Sequence, residues 1–233
     1  MARNLLLVSN SINFGSGYLD HCESQMRELF SGVKRVLFVP YAGIDCDAYS
    51  KKVRERLEKM GLQVDSLHDA KDPRKAIRKA QAIFVGGGNT FVLLNALQKQ
   101  GVLAELRKSI RRGIPYLGTS AGVNVASPTI ATTNDMPIVH VNSLDALGVI
   151  PFQINPHYIE PGRGSRHQGE TREQRIKEYH LLNRRPVLGL REGAMLRVKG
   201  NQMHLIGNGA KLFRRGQKPR EYKPRGMHFL LSR

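Results

Sequence analysis

Short apolar runs alternate with helical patterns through the first half of the chain, and this alternation restricts the fold more than any other feature. The apolar runs are predicted strands: Leu5–Ser9, Arg35–Pro40, Gln63–Leu67, Ala82–Val85 and Ile114–Gly118. The intervening segments are predicted helices: Tyr18–Phe30, Asp47–Met60, Pro73–Ala80, Thr90–Gln100 and Val102–Arg112. Such alternation predicts an α/β fold, a mostly parallel sheet with helices on both faces. In these folds ligands bind at the carboxyl ends of the strands.

The second half has a different pattern. It contains a predicted strand at Val149–Ile154, a Gly/Pro-rich stretch at 161–169 and a predicted helix at Glu170–Leu182. Three further strands are predicted at Val187–Leu190, Ala194–Val198 and Met203–Ile206. No long linker interrupts the chain, so we predict one domain. Residues 1–210 would form its catalytic part, and residues 211–233 a basic extension, either separate or part of the same domain.

The net charge of +18 comes from 37 Lys and Arg residues against 19 Asp and Glu residues. A charge of this sign attracts nucleic acid, acidic surfaces or acidic substrates. Most basic clusters lie on predicted helices that also carry apolar stripes, which is typical of solvated faces. The sequence has no zinc finger and no RNP-like motif, so nucleic acid is not expected as the main ligand.

The apolar runs are far shorter than the roughly 20 residues that a membrane span requires. No signal-peptide core is predicted near the N-terminus. The two cysteines, Cys22 and Cys46, form neither a disulfide framework nor a CxxC pair. These features predict a cytoplasmic protein without a membrane segment.

Two glycine-containing turns follow predicted strands. Gly118-Thr119-Ser120-Ala121-Gly122 is a G-x-S-x-G sequence between a strand and a helix, the setting of a nucleophile elbow that exposes a serine hydroxyl. Gly86-Gly87-Gly88-Asn89-Thr90 lacks the third glycine of a dinucleotide fingerprint. It is either a tight turn or an oxyanion-hole strip, in which the backbone N–H groups of Gly88 and Ala121 would flank a carbonyl oxygen.

A serine nucleophile requires a neutral imidazole, and the imidazole requires an acid. His157 is the leading histidine, because it follows a predicted strand and Pro156 restricts its backbone. His140 and His167 are rival loop histidines. Asp135 and Glu192 are the leading acids, and the pattern of the residues does not rank them.

Five motifs in unbroken order resemble the peptidase E (α-aspartyl dipeptidase) family of serine peptidases. They are GGGNTF at 86–91, GTSAG at 118–122, TTNDMPIV at 132–139, INPHY at 154–158 and GETREQRI at 169–176. The resemblance implies a flavodoxin-like fold similar to class I glutamine amidotransferases, whose elbow usually carries cysteine where this chain has Ser120. It also implies a small peptide substrate, no cofactor and no metal. We expect a monomer or homodimer.

The resemblance assigns roles to individual residues. Ser120 would be the nucleophile, His157 the base, and Glu192, with Asp135 as the alternative, the acid. A guanidinium would bind the substrate aspartate, with Arg172 favoured and Arg175 and Asn89 as further substrate-binding candidates. Two alternatives stay open: a serine hydrolase for another aspartyl substrate such as cyanophycin, and a basic nucleic-acid-binding protein on a decayed hydrolase scaffold.

Overall fold

The computed structural model describes residues 3–160 and 169–231. Its strands are β1 (Asn4–Val8), β2 (Arg35–Val39), β3 (Gln63–Ser66), β4 (Ile83–Val85), β5 (Tyr116–Thr119), β6 (Gln153–Tyr158), β7 (Val187–Arg191), β8 (Met195–Lys199), β9 (Gln202–Ile206), β10 (Ala210–Phe213), β11 (Arg220–Tyr222) and β12 (Arg225–Gly226). Its α-helices are α1 (Glu23–Leu29), α2 (Cys46–Glu58), α3 (Pro73–Lys79), α4 (Thr90–Lys99), α5 (Leu103–Arg111), α6 (Ala121–Ala126) and α7 (Arg172–Leu182).

The central sheet has the strand order β12-β9-β8-β1-β5-β4-β2-β3. Strands β1, β5, β4, β2 and β3 run parallel, while β8, β9 and β12 add an antiparallel edge. A second, smaller sheet has the order β11-β10-β7-β6, of which β6 and β7 are parallel. The predicted α/β fold with a mostly parallel central sheet in a single domain is therefore confirmed.

Apolar side chains cover both faces of the central sheet. Leu5 and Leu7 of β1 face one layer, which also contains the apolar sides of α3 to α6 and of the smaller sheet. Leu6 and Val8 face the opposite layer, formed with α1 and α2. Successive strand residues point to opposite faces, so an uninterrupted apolar run is what a strand buried on both faces requires.

Helices α2, α3, α4 and α7 begin where the sequence supplies a capping side chain. Asp45 accepts a hydrogen bond from the Ala48 N–H at the start of α2, and Asp72 accepts one from the Lys75 N–H at the start of α3. Thr171 and Gln174 form a reciprocal capping box at the start of α7. Each cap pairs a backbone N–H that has no partner within its helix.

Two predicted elements are shifted. The predicted helix Tyr18–Phe30 is a shorter α1 preceded by a 3-10 turn at Asp20–Cys22. The predicted strand Val149–Ile154 was wrong in its bounds, because residues 149–152 form a buried loop and β6 extends to Tyr158. His157 therefore lies within a strand and not in a loop after it.

The basic C-terminal segment contributes strands to both sheets. Strand β10 pairs with β7 and β11, and β12 pairs with β9. A boundary between residues 210 and 211 would divide β10 after its first residue. Among the described residues, no helix is long and apolar enough to cross a bilayer.

Candidate active site

Ser120 occupies a sharp turn between β5 and α6. Its backbone has φ 51° and ψ −107°, a region that residues other than glycine rarely adopt. A Cβ on Gly122 would lie 2.3 Å from the Val85 carbonyl oxygen, and one on Gly118 would lie 2.7 Å from the Gly122 carbonyl oxygen. Both glycines of the G-x-S-x-G sequence are thus required by close backbone approach, as expected for a strained nucleophile elbow.

A continuous chain of hydrogen bonds joins Ser120, His157 and Glu192. His157 Nε2 lies 2.9 Å from Ser120 Oγ, and His157 Nδ1 lies 2.7 Å from Glu192 Oε1. With Nδ1 protonated and donating to the carboxylate, Nε2 is free to accept the serine proton. This is the geometry of a nucleophile, a base and an orienting acid.

The two sheets contribute different parts of this chain. Ser120 follows β5 of the central sheet, whereas His157 is near the carboxyl end of β6 and Glu192 follows β7 of the smaller sheet. The backbone of His157 has φ 53°, and the β6–β7 pairing shifts register between Asn155 and Tyr158. This bulge in β6 turns the imidazole toward Ser120, because bulges redirect side chains at sheet edges.

Ser9 and Asn10 connect the end of β1 to the segments that carry His157 and Glu192. Neither residue was predicted from the sequence. The buried Ser9 hydroxyl accepts a hydrogen bond from the His157 N–H at 2.9 Å and donates one to the Leu190 carbonyl at 2.9 Å. Asn10 Oδ1 accepts a hydrogen bond from the Gly193 N–H at 2.7 Å. Their position directly after β1, at the edge that also carries Ser120, was the signal available in the sequence.

Replacing Ser9 with alanine is expected to lower kcat by about 10- to 100-fold, because a displaced imidazole transfers protons poorly. It leaves the part-buried His157 N–H without its partner, which costs up to about 1–3 kcal/mol of folding free energy. KM should not change, since Ser9 is not among the residues lining the pocket beside Ser120. Steady-state kinetics and thermal unfolding of Ser9→Ala measure both effects; an unchanged kcat would contradict the positioning role.

The glycine-rich loop at 86–88 packs directly against Ser120. A Cβ on Gly87 would lie 3.0 Å from Ser120 Cβ, and one on Gly88, where φ is +134°, would lie 2.0 Å from the Ala42 carbonyl oxygen. The Gly87 N–H donates to Tyr49 Oη. Within residues 3–160 and 169–231, the N–H groups of Gly88 and Ala121 donate to no protein acceptor. Both predicted oxyanion donors therefore remain available to a ligand.

Asp135 does not contact His157. Its Oδ2 accepts hydrogen bonds from the Thr90 N–H at 2.8 Å, the Thr90 hydroxyl at 2.5 Å and the Thr133 hydroxyl at 3.0 Å. The carboxylate thus caps α4 and anchors the loop that carries it, and of the two predicted acids only Glu192 touches the imidazole.

Asn89 is a predicted substrate-binding residue, but both polar groups of its side chain form hydrogen bonds within the protein. Its Oδ1 accepts hydrogen bonds from the Phe91 and Val92 N–H groups at the start of α4, and its amide donates to the Met136 carbonyl. Asn89 is also not among the residues that line the pocket. The structure therefore gives it a capping role, which is what the side chain of a helix N-cap does.

A pocket of about 320 Å³ opens beside Ser120. It is lined by Ser120, Asn124, Thr133, Asn134, Asp135, Pro156, His157, Ile159, Arg172 and Glu192. Burial lowers the pKa of Arg172, as does the charge of Arg175, while Asp135 acts in the opposite direction. Arg172 makes no ion pair with a described carboxylate. The pocket thus holds a partly desolvated cation that forms no direct ion pair with a described carboxylate.

The remaining predicted residues lie elsewhere. Arg175 pairs with Glu170 at 3.3 Å and does not line the pocket. His140 is exposed and lines a different surface depression with Phe91 and residues 137–141. His167 lies outside the described residues.

Comparison with known proteins identifies close relatives. The model of the family described as Peptidase family S51 matches residues 5–206. A Drosophila melanogaster protein named "Probable alpha-aspartyl dipeptidase" is 49% identical over 237 residues, covering 100% of this chain and 99% of its own. A Streptomyces coelicolor protein named "Peptidase E" is 50% identical over 219 residues, covering 94% of this chain and 90% of its own.

Solved structures show the same fold. A crystal structure of a peptidase E protein from Listeria monocytogenes EGD-e superposes with a TM-score of 0.68 at 25% identity, covering 88% of this chain and 98% of its own. A peptidase from an acI-B1 Actinobacterium also gives a TM-score of 0.68, at 16% identity, and covers 97% of both chains.

Proposed function

The chain belongs to peptidase family S51, and on that premise we propose that it is a serine dipeptidase that releases N-terminal aspartate from Asp-X dipeptides. The observation that carries the proposal is the hydrogen-bonded chain from Ser120 Oγ through His157 to Glu192 Oε1. The name of the Drosophila relative supplies the substrate class. The pocket beside Ser120 contains charged side chains, Arg172 and Asp135, that can bind an N-terminal aspartate.

The first half of the reaction forms an acyl-enzyme. His157 Nε2 takes the proton from Ser120 Oγ, which attacks the carbonyl carbon of the aspartyl residue. The oxyanion accepts hydrogen bonds from the N–H groups of Gly88 and Ala121, which have no protein acceptor among the described residues. Each such donor contributes about 10²- to 10³-fold to the rate. Glu192 stabilises the imidazolium that forms.

The second half releases both products. His157 gives its proton to the leaving amine, so the peptide bond breaks and the second residue departs. Water then attacks the ester carbonyl after losing a proton to His157 Nε2. Collapse of this second tetrahedral intermediate frees aspartate and returns the proton to Ser120 Oγ.

Two opposite charges in the pocket match an N-terminal aspartate. The guanidinium of Arg172 pairs with the side-chain carboxylate in a bidentate manner. Oδ1 of Asp135 accepts no hydrogen bond from a described residue and is available to the substrate ammonium group. Recognition of both groups restricts the enzyme to the N-terminal residue, which is the reason for exopeptidase activity.

Arg172→Met is expected to lower kcat/KM for Asp-Leu by about 10- to 100-fold, since it removes a charge-assisted bidentate contact. The wild type should prefer Asp-Leu over Glu-Leu and Asn-Leu, and the variant should lose that preference. Steady-state kinetics on these three dipeptides measure both the drop in kcat/KM and the loss of preference. Arg175→Met is the matched control, because this arginine pairs with Glu170 outside the pocket, and its selectivity should equal the wild type. Unchanged selectivity in Arg172→Met would remove the residue from substrate recognition.

Neither alternative function is favoured. A hydrolase for a cyanophycin-type substrate would have the same elbow, but the Drosophila relative is named as an alpha-aspartyl dipeptidase. A decayed scaffold would not be expected to keep the nucleophile, base and acid in hydrogen-bonded order.

Three further features belong to this proposal. The sharp turn at Ser120 supports kinship with class I glutamine amidotransferases. The free thiols of Cys22 and Cys46 support a cytoplasmic location. The described active-site residues come from one chain, so the proposed monomer or homodimer would need no residue of a partner subunit for catalysis.

A further inference from the structure

A separate cavity lies at the opposite end of the molecule from Ser120. It has a volume of about 1070 Å³ and includes Arg3, Phe152 and Pro186, the residues that immediately precede β1, β6 and β7. The active site lies at the carboxyl ends of β5, β6 and β7. Since β1 and β5 are parallel, as are β6 and β7, the two sites occupy opposite strand ends.

Arginines line this cavity from several elements. They are Arg3, Arg107, Arg111, Arg184, Arg185 and Arg214, while Asp145 is the single acid among the described lining residues. Arg107 and Arg111 are one turn apart on α5, and the others come from the start of β1, the loop after α7 and the end of β10. The basic C-terminal segment therefore contributes to the cavity through Arg214.

Backbone carbonyls, and not carboxylates, hold several of these guanidinium groups. Arg107 donates to the Leu147 and Ala146 carbonyls at 2.8 Å, Arg111 to the Gly148 carbonyl at 3.2 Å, and Arg185 to the Pro151 carbonyl at 3.3 Å. A carbonyl orients a guanidinium without neutralising its charge. Each group has five N–H donors, so most of them remain unused.

The cavity is consequently a region of excess positive charge. The five arginines other than Arg3 form no ion pair with any carboxylate in the described part of the chain. One carboxylate ligand could not neutralise five cations spread around such a volume. A ligand with several linked anionic groups could, and arginine forks match phosphate oxygens in a bidentate manner.

We propose that this cavity binds a chain of linked phosphate groups, supplied either by inorganic polyphosphate or by a nucleoside polyphosphate. This site accounts for part of the net charge of +18, for which peptide hydrolysis has no need. Phe229 lines the same cavity, and the residue is 44% exposed. A nucleobase would stack against its aromatic ring. Because inorganic polyphosphate has no base, replacing Phe229 distinguishes the two sources of the phosphate chain.

The test measures binding of inorganic tripolyphosphate and of ATP to the whole protein by calorimetry, at about physiological salt so that weak surface attraction is screened. Arg184→Gln/Arg214→Gln removes two charges whose side chains make no hydrogen bond to a described residue, so the fold should persist. We expect this variant to bind tripolyphosphate about tenfold or more weakly. Lys51→Gln/Lys59→Gln removes two exposed charges at α2 and is the matched control, expected to bind like the wild type.

Several outcomes would overturn the proposal: no binding to the wild type, equal weakening in both double variants, or loss of binding in Arg172→Met, which would place the anion in the active site. Equal melting temperatures and equal Asp-Leu turnover establish that the double variants are folded. If Phe229→Ala weakens ATP alone, the occupant is a nucleotide. If it weakens neither ligand and tripolyphosphate binds at least as tightly as ATP, the occupant is the inorganic chain.

Discussion

Ser120→Ala is expected to lower kcat for Asp-Leu by about 10⁵- to 10⁶-fold, the scale on which loss of a serine nucleophile acts in hydrolases of this kind. The variant keeps the pocket and Arg172, so KM should change little. Alanine at φ 51° bears the same backbone strain as serine, so stability should also be retained. Product release followed by chromatography, with thermal unfolding in parallel, measures these effects.

Ser31→Ala is the control for this experiment, because Ser31 is an exposed serine just beyond α1. It should hydrolyse Asp-Leu at the wild-type rate. Activity of Ser120→Ala within a few fold of wild type would refute serine catalysis, whereas loss of activity together with loss of the folding transition would show only misfolding. Chelation of metals should leave the wild-type rate unchanged.

Glu192→Gln is expected to lower kcat by about 10²- to 10³-fold, with little effect on KM. A buried triad acid contributes about 10⁴-fold when replaced by its amide. The Glu192 side chain is 54% exposed, and solvent screening reduces its effect on the imidazolium. The loss comes from weaker stabilisation of the charged imidazole and from the tautomer that the amide permits.

Asp135→Asn is the comparison that separates the two acids. Asp135 binds Thr90 and Thr133 and not His157, so its amide variant should raise KM far more than it lowers kcat. Asparagine also retains an oxygen that accepts hydrogen bonds at α4. The reverse pattern, with kcat reduced mainly in Asp135→Asn and unchanged in Glu192→Gln, would reassign the acid.

The sequence predicted the central sheet and the elbow because both depend on local rules. Apolar runs mark strands buried on both faces, and a strand followed by G-x-S-x-G and a short helix places a serine at the carboxyl edge. The Gly118 and Gly122 contacts show why this signal is strong: any side chain there would collide with the backbone.

The second sheet was not visible in the sequence, because pairing partners are chosen by long-range packing. Strand β6 was predicted too early, since Val149 and Ile150 are as apolar as strand residues but are buried in a loop. His157 was singled out for a loop setting, yet a strand bulge at φ 53° aims its ring. Left-handed backbone at a histidine has no reliable sequence signature.

Ser9 escaped prediction for a related reason. A serine after β1 looks like an ordinary strand end, and its two hydrogen bonds go to residues 148 and 181 positions away. Asn89 was proposed as a substrate-binding residue although its position directly before a helix is typical of an N-cap. Hydrogen-bond partners that are this distant in the sequence can be identified only once the three-dimensional arrangement of the strands is known.

Covalent labelling of Ser120 tests the central claim most directly. An α-aspartyl diaryl phosphonate offers its phosphorus where the substrate has its carbonyl carbon, and attack by Ser120 Oγ expels a phenol. Mass spectrometry of digested protein should find a single adduct on the peptide containing Ser120, forming as Asp-Leu activity disappears and far more slowly in His157→Ala. An adduct on another residue, or a labelling rate that His157→Ala leaves unchanged, would contradict a serine activated by that imidazole.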